Sequence, residues 1–147
     1  MIRAWVIALA LALSAQPVAA QPEHGMIRNH TGLPLTFPLQ VRTDPGRDYA
    51  LVLLEDATGD RALTAYIEGG RFFRVLTPPG RYRLHLASGT RWVGEGALFG
   101  PETVTIEFDE ILDFHTEGLS RKTGHLVDLR GSFGEDVRLD DIALCGG

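Results

Sequence analysis

The chain has a single cysteine, Cys145, near its C-terminal end. One cysteine excludes an internal disulfide, so a fold of this size is held by its core. The thiol itself reads as incidental to the tail, the alternatives being a buried thiol, a reactive one or an intermolecular link. There is no long run of lysine and arginine, and the formal net charge is −5. That balance argues against nucleic acid as a partner, because phosphate neutralisation supplies most of that affinity. It argues equally against anionic lipid. The cofactor fingerprints are missing too. The sequence has no P-loop, no dinucleotide motif, no H-E-x-x-H and no C-x-x-C. No G-x-S-x-G elbow occurs, and Gly131-Ser132-Phe133-Gly134 lacks its spacing. No cofactor is therefore implied and catalysis is not expected, although a hydrolase assembled from scattered residues stays open as an alternative. Finally, no segment sustains a 3.6-residue apolar period, which excludes a helical architecture.

What is present begins with a targeting pattern. Arg3 supplies a positive start, Ala4 to Ala15 is apolar, and Val18-Ala19-Ala20 offers small residues to signal peptidase. The apolar run is short for a membrane span. Cleavage is expected between Ala20 and Gln21, giving a periplasmic or secreted protein with no stable membrane span; the alternative is a retained N-terminal anchor. No cysteine follows the run, which argues against a lipoprotein anchor.

Beyond the leader, residues 21–34 are polar and read as a flexible lead-in, with His24 and His30 in different registers and no site between them. Leu35, Phe37, Leu39 and Val41 then alternate, a first strand that Pro38 assigns to a sheet edge. Tyr49 to Glu55 is nearly continuous in apolar residues and predicts a central strand covered on both faces. Leu63, Ala65 and Ile67 alternate with Thr64, Tyr66 and Glu68. Gly69-Gly70 predicts a hairpin turn into Arg71 to Leu76. Pro79-Gly80 predicts a second turn. After it Tyr82, Leu84 and Leu86 alternate with Arg81, Arg83 and His85, one apolar face and one cationic. Ser88-Gly89 ends that strand, Trp92 follows on a short one, and Gly94, Gly96 and Gly100 mark a closely packed return. Val104, Ile106 and Phe108 alternate again, Asp109-Glu110 interrupts, and Ile111 to His115 is a further short strand. Glu117 to Gly124 reads as loop and Leu126 to Arg130 as a late strand. These signals predict an all-β fold, a small antiparallel β-sandwich of about eight short strands over residues 35–130. Residues 131–147 are an acidic tail or an added edge strand.

The stretch from Thr77 to Pro101 also resembles a known pattern. Pro79-Gly80-Arg81-Tyr82-Arg83-Leu84, Ala87-Ser88-Gly89, Trp92-Val93-Gly94-Glu95 and Leu98-Phe99-Gly100-Pro101 with Thr103 are similar to P-x-G-x-Y-R-[LI]…A-S-G-x-x-W-x-G-E-x-x-L-F-G-P-x-T. This is the pattern of an uncharacterised bacterial family of exported β-sandwich domains, distantly similar to carboxypeptidase-regulatory-like and PEGA-type domains. Ala65 to Gly70 resembles the strand and glycine pair that precede it, and Gly124 to Leu129 its terminal strand. Val93 departs from the aromatic of the pattern. The resemblance covers about Leu35 to Arg130; it implies a fold and a compartment but no reaction.

Four constellations are chemically interesting. Trp92, Glu95 and Phe99 form a ligand platform for a sugar or peptide, or else a structural tryptophan plugging one end of the sandwich. Arg81, Arg83 and His85 share a strand face and either bind an anion or pair with acids on the next strand. Asp113, His115 and Glu117, at i, i+2 and i+4, are a weak metal candidate, or a solvated polar face opposite Leu112 and Phe114. Asp136, Asp140 and Asp141 lack calcium-loop spacing and read as a solvated tail. Together these features imply an exported accessory or interaction module that touches an envelope protein or a small glycan. The alternatives are a small-ligand or carbohydrate-binding module and a metal-assisted hydrolase.

Overall fold

The computed structural model describes residues 20–25 and 27–131, and the backbone of 138–145. Residues 1–19, 26, 132–137 and 146–147 and the side chains of 138–145 lie outside the described residues, and with them most of the expected leader, the expected turn at 131–134, and the Asp136, Asp140, Asp141 and Cys145 readings. Among the described residues ten strands form two facing sheets. They are β1 (Ile27–Asn29), β2 (Phe37–Arg42), β3 (Asp48–Glu55), β4 (Arg61–Ile67), β5 (Phe73–Thr77), β6 (Gly80–Gly89), β7 (Val104–Phe114), β8 (Thr116–Glu117), β9 (Arg121–Asp128) and β10 (Arg138–Cys145). The first sheet runs β1-β4-β3-β6-β7, and the second β10-β9-β2-β5, with β8 paired to β9. Every pairing is antiparallel except β2 with β9. This is an all-β sandwich, as the alternating strands require. No helix among the described residues is long and apolar enough to cross a membrane.

The core is what period-2 alternation makes of two facing sheets. Leu51 and Leu53 of β3, Leu63 of β4 and Tyr82, Leu84 and Leu86 of β6 point inward from the first sheet. Phe37, Leu39 and Val41 of β2, Phe73 and Val75 of β5, and Val127 of β9 meet them from the second. Phe114 stands where the sheets join. Its ring lies 6.4 Å from Phe37, 6.1 Å from Tyr82 and 4.8 Å from His125. The edge there is closed by hydrogen bonds: the His115 N–H donates to Thr123 Oγ1 at 2.9 Å, and the Thr123 N–H donates to His115 O at 3.0 Å. Among the described residues no buried side-chain nitrogen or oxygen lacks a partner. Thr77, fully buried, donates its hydroxyl to Phe37 O at 3.0 Å.

Several strand-level expectations need correction. Gly69-Gly70 does not close a hairpin. β4 lies in the first sheet and β5 in the second, where it pairs with β2. The pair is a corner at which the chain crosses another turn. A Cβ on Gly69 would sit 1.8 Å from Arg47 O, so only glycine fits. The corner is pinned by the Gly69 N–H on Asp48 Oδ1 (3.1 Å) and the Gly70 N–H on Thr43 Oγ1 (3.0 Å). Pro79-Gly80 is likewise a corner between sheets, locked by the Tyr82 hydroxyl donating to Pro79 O at 2.7 Å.

β2 is an interior strand despite Pro38. Its pairing with β9 begins only at Leu39, so the proline has a single strand neighbour, Leu76 of β5. The two short strands expected at 104–108 and 111–115 are one, β7, and Asp109-Glu110 falls in a bulge. There the register steps from Arg83↔Ile111 to His85↔Glu107. The polar stretch expected as loop supplies β8 and the start of β9, because β10 pairs along it from Arg138↔Asp128 to Cys145↔Arg121. The lead-in is not loose chain. β1 pairs with β4, Gln21 Nε2 donates to Asp48 Oδ2 and to the Tyr66 hydroxyl, and His24 bonds the backbones of Phe72 and Glu68.

The end of β9 carries a bidentate ion pair. Arg130 donates from Nε to Asp128 Oδ1 at 2.9 Å and from Nη2 to Oδ2 at 2.6 Å. These hydrogen bonds, with the Arg130 and Arg42 charges, pull the Asp128 carboxyl down to about 2. An acid whose folded pKa is depressed adds stability above its ordinary value, near 4, and that contribution fades as pH falls toward 2. The stability difference between the wild type and Asp128→Asn should therefore be constant above pH 5 and shrink between pH 4 and 2 in urea titrations. A difference that does not change across that window would contradict the pairing.

Candidate functional site

The outer face of the first sheet, turned away from the core, holds the site. Register places Tyr66 of β4, Ala50 of β3 and Ala87 of β6 side by side in one row. The next row along the strands is Arg28 of β1, Thr64 of β4, Val52 of β3 and His85 of β6. Arg61, paired with Leu54, stands beyond it. Small residues in the middle of β3 thus leave a depression between Tyr66 on one side and Arg61 on the other.

The segment between β6 and β7 covers one end of this depression. It is irregular rather than the short strand expected around Trp92, with one isolated bridge between Gly94 and Leu98. Phe99 is its anchor, 4% exposed, packed with Ala50, Tyr66 and Ala87. Gly89 permits the approach, since a Cβ there would lie 2.2 Å from Phe99 Cβ. The Thr103 hydroxyl fixes the other side of the anchor. It accepts from the Phe99 N–H at 3.1 Å and donates to Gly100 O at 2.7 Å around a short 3-10 turn, Gly100–Glu102. The indole of Trp92 meets the rings of Tyr66 and Phe99 edge-on, each at 5.4 Å.

What remains open is a groove of about 110 Å³. Trp92 and Leu98 form one wall, Arg28, His30 and Pro22 the other, and Val52 and Thr64 the floor. Arg28 reaches across to Glu95 at the loop tip, Nη1 to Oε1 2.7 Å, an ion pair that clasps β1 to the tryptophan segment. His30 Nε2 lies 3.3 Å from Thr64 Oγ1. Leu98 has φ of +54°, and no other non-glycine residue described has a positive φ. Left-handed backbone at a leucine costs about 1–2 kcal/mol, and such strain collects at ligand clamps.

Trp92 and Glu95, singled out from sequence, line the groove. Phe99 does not; it is buried beneath Trp92 and positions it. The tryptophan does not plug an end of the sandwich either, since it lies over the outside of the first sheet. Arg81, Arg83 and His85 share that outer face but not the groove. Arg83 Nε binds Asp56 Oδ1 at 3.2 Å, Arg81 approaches the same carboxylate at 4.0 Å, and His85 faces Glu107 at 3.6 Å. Each is occupied by an acid of a neighbouring segment, the pairing alternative.

Asp113, His115 and Glu117 do gather at the end of β7. His115 Nδ1 lies 3.2 Å from Asp113 and Nε2 3.5 Å from Glu117, while Arg121 approaches Glu117 at 3.8 Å. The imidazole sits between the carboxylates with its two nitrogens facing apart, so the three donors do not converge on one point. Among the described residues no group of three histidine, cysteine, aspartate or glutamate side chains is arranged to hold a metal ion. Arg28, His30, Arg61 and Tyr66 were not foreseen, because only the order β1-β4-β3 brings them together.

No protein-family model, curated protein or solved structure matches the chain. The geometry of the groove therefore carries the functional reading.

Tyr66 also ties the groove to the frame. Its hydroxyl donates to Asp48 Oδ2 at 2.6 Å. Burial, and then the Asp48 hydrogen bond and charge, push this phenol far above the ordinary tyrosine range. Burial raises the other two tyrosines as well: Tyr49, partly offset by Ser88, and Tyr82, helped by the Glu55 charge. The unfolded chain ionises first, so stability should fall as pH rises past about 10. With only three tyrosines in the chain, phenolate absorbance at 295 nm should appear in a single step together with loss of the β-sheet circular dichroism signal. A tyrosine that titrates near pH 10 in the folded protein would contradict this burial.

Proposed function

We propose that the chain is an exported, non-catalytic binding module of the bacterial envelope, and that it takes a small glycan in the Trp92 groove. The observation that carries the reading is the combination of a tryptophan wall, the Thr64 hydroxyl on the floor and an ionic clasp around a space of about one sugar ring. Aromatic faces pack the C–H surface of a sugar while convergent polar groups orient its hydroxyls. The compartment rests on the leader pattern at 1–20. Membership of the exported β-sandwich family is part of the same proposal, supported by the roles of its motif residues: Trp92 and Glu95 line the groove, and Phe99 and Thr103 hold the covering segment.

A second reading, an envelope protein as partner, is favoured by a different surface. Among the described residues β5 is an edge strand of the second sheet; its Leu76 is 42% exposed, and Phe72, just before it, 73%. Exposed edges of this kind accept an added strand.

Thermal shift against a panel of envelope saccharides separates the two. Ligand at about a hundred times its Kd should stabilise the wild type by about 2.7 kcal/mol through mass action, and Trp92→Ala should abolish the rise. A flat panel, or an equal rise in Trp92→Ala, would overturn the glycan reading. In vivo crosslinking with mass spectrometry would then test a protein partner, with Phe72→Ser and Leu76→Ser as variants.

A further inference from the structure

We propose that the ligand of the Trp92 groove is an acidic sugar, a six-membered ring bearing a carboxylate of the uronic-acid type, and that Arg61 receives the carboxylate. The inference rests on the groove being the binding site and adds the charge of what it binds. The chain is acidic overall, at −5, yet the groove concentrates cations. Two guanidinium groups, Arg28 and Arg61, line it against one acid, Glu95. The pairing pattern separates their roles. Glu95 neutralises Arg28. Arg81 and Arg83 share Asp56, and Arg71, Arg121 and Arg130 each have a carboxylate close by. Arg61 has no carboxylate partner among the described residues, although it stands beside the groove on β4. A guanidinium offers a fork of donors matched to a carboxylate. Leaving that fork open at the end of an aromatic-walled groove fits an anion that arrives with the ligand.

Size and polarity narrow the class. A space of about 110 Å³ is of the order that holds a single ring. Trp92 offers that ring an apolar wall, while Thr64 and His30 offer hydroxyl-binding groups on the floor and the opposite wall. A neutral hexose would leave Arg61 unused, and a bare carboxylate would leave Trp92 unused. The Arg28–Glu95 pair acts as an internal competitor, since Glu95 occupies a cation that the ligand could otherwise share.

The test is a ¹H–¹⁵N NMR titration of the protein with D-glucuronate, D-glucose and acetate, read at the Trp92 indole N–H. Glucuronate should move that resonance and bind about tenfold more tightly than glucose, the increment of one charge-assisted contact, and acetate should not move it. Arg61→Gln should remove the preference and leave glucose binding unchanged; Arg61→Lys should retain part of it. Glu95→Gln, which frees Arg28, should strengthen glucuronate binding several-fold. Equal binding of glucose and glucuronate would overturn the acidic-sugar inference while the groove stands. No movement of the indole resonance with any of the three, together with a flat response to the neutral saccharide panel, would remove the groove reading and this inference with it.

Discussion

Replacing Phe114 by alanine is expected to lower the unfolding free energy by about 3–5 kcal/mol, the usual loss for truncating a fully buried phenylalanine. The ring is 1% exposed and makes contacts to both sheets at once, through Phe37 and His125 on one side and Tyr82 on the other. Its neighbours belong to hydrogen-bonded strands, so the space it leaves cannot close by small shifts. With total stabilities of about 5–15 kcal/mol for domains in general, and no internal disulfide possible with one cysteine, the variant would be marginal at best. Urea unfolding gives the number directly. The midpoint should drop with little change in slope if the sandwich is otherwise intact. A loss below about 1 kcal/mol, the range of ordinary surface changes, would mean that Phe114 does not join the sheets as described.

The second large effect concerns Phe99. Phe99→Ala should cost about 3 kcal/mol or more and should also disable the groove, because the ring is what holds Trp92 over Ala50 and Ala87. Trp92 fluorescence should shift toward the red in this variant, and saccharide binding should be lost. Gly89 supplies an independent check. Gly89→Ala places a methyl group 2.2 Å from Phe99 Cβ, so it should destabilise the wild type by about 1–3 kcal/mol through overpacking. In a Phe99→Gly background, which removes the Cβ as well as the ring, the clash is gone, and the same change should be nearly neutral. A double-mutant cycle measures that coupling. Additive costs in the cycle would contradict the packing of Phe99 on Gly89.

Much of the frame is legible in the residues. Phe37-Leu39-Val41 and Tyr82-Leu84-Leu86 alternate with polar partners, and both sets face the core. The continuous apolar run at 49–55 is the central strand β3, although its outer face is covered only at Ala50, beneath the tryptophan segment. Which sheet a strand joins was not legible at the corners. Gly69-Gly70 and Pro79-Gly80 have turn chemistry that fixes a local reversal and nothing more. Whether the next strand pairs with the last one or crosses over is decided by distant partners, here β2 for β5. β1 escaped notice for a related reason: Ile27-Arg28-Asn29 has no alternation, and its place comes from backbone pairing with the edge of β4.

The site divides in the same way. Trp92 and Glu95 stand out because a lone tryptophan among glycines invites attention. Phe99 looked like part of the same surface, but its burial depends on Gly89 and the two alanines across the sheet. Arg28, His30 and Arg61 are ordinary polar residues in sequence, and only strand order gathers them. Asp113, His115 and Glu117 do come together, but not on one strand face, since β7 ends at Phe114 and Glu117 belongs to β8 of the second sheet. Their i, i+2, i+4 spacing could not show that the imidazole would lie between the carboxylates rather than beside them.

The central claim is that ligand enters the Trp92 groove on the outer face of the first sheet. Its most direct test is ¹H–¹⁵N NMR of the protein with a soluble envelope glycan digest. The account predicts that the Trp92 indole N–H and the backbone amides of Val52 and Thr64 shift together and saturably, and that they stay still in Trp92→Ala at the two amides. Shifts confined to the β5 edge around Phe72 and Leu76, with the groove amides unmoved, would contradict it.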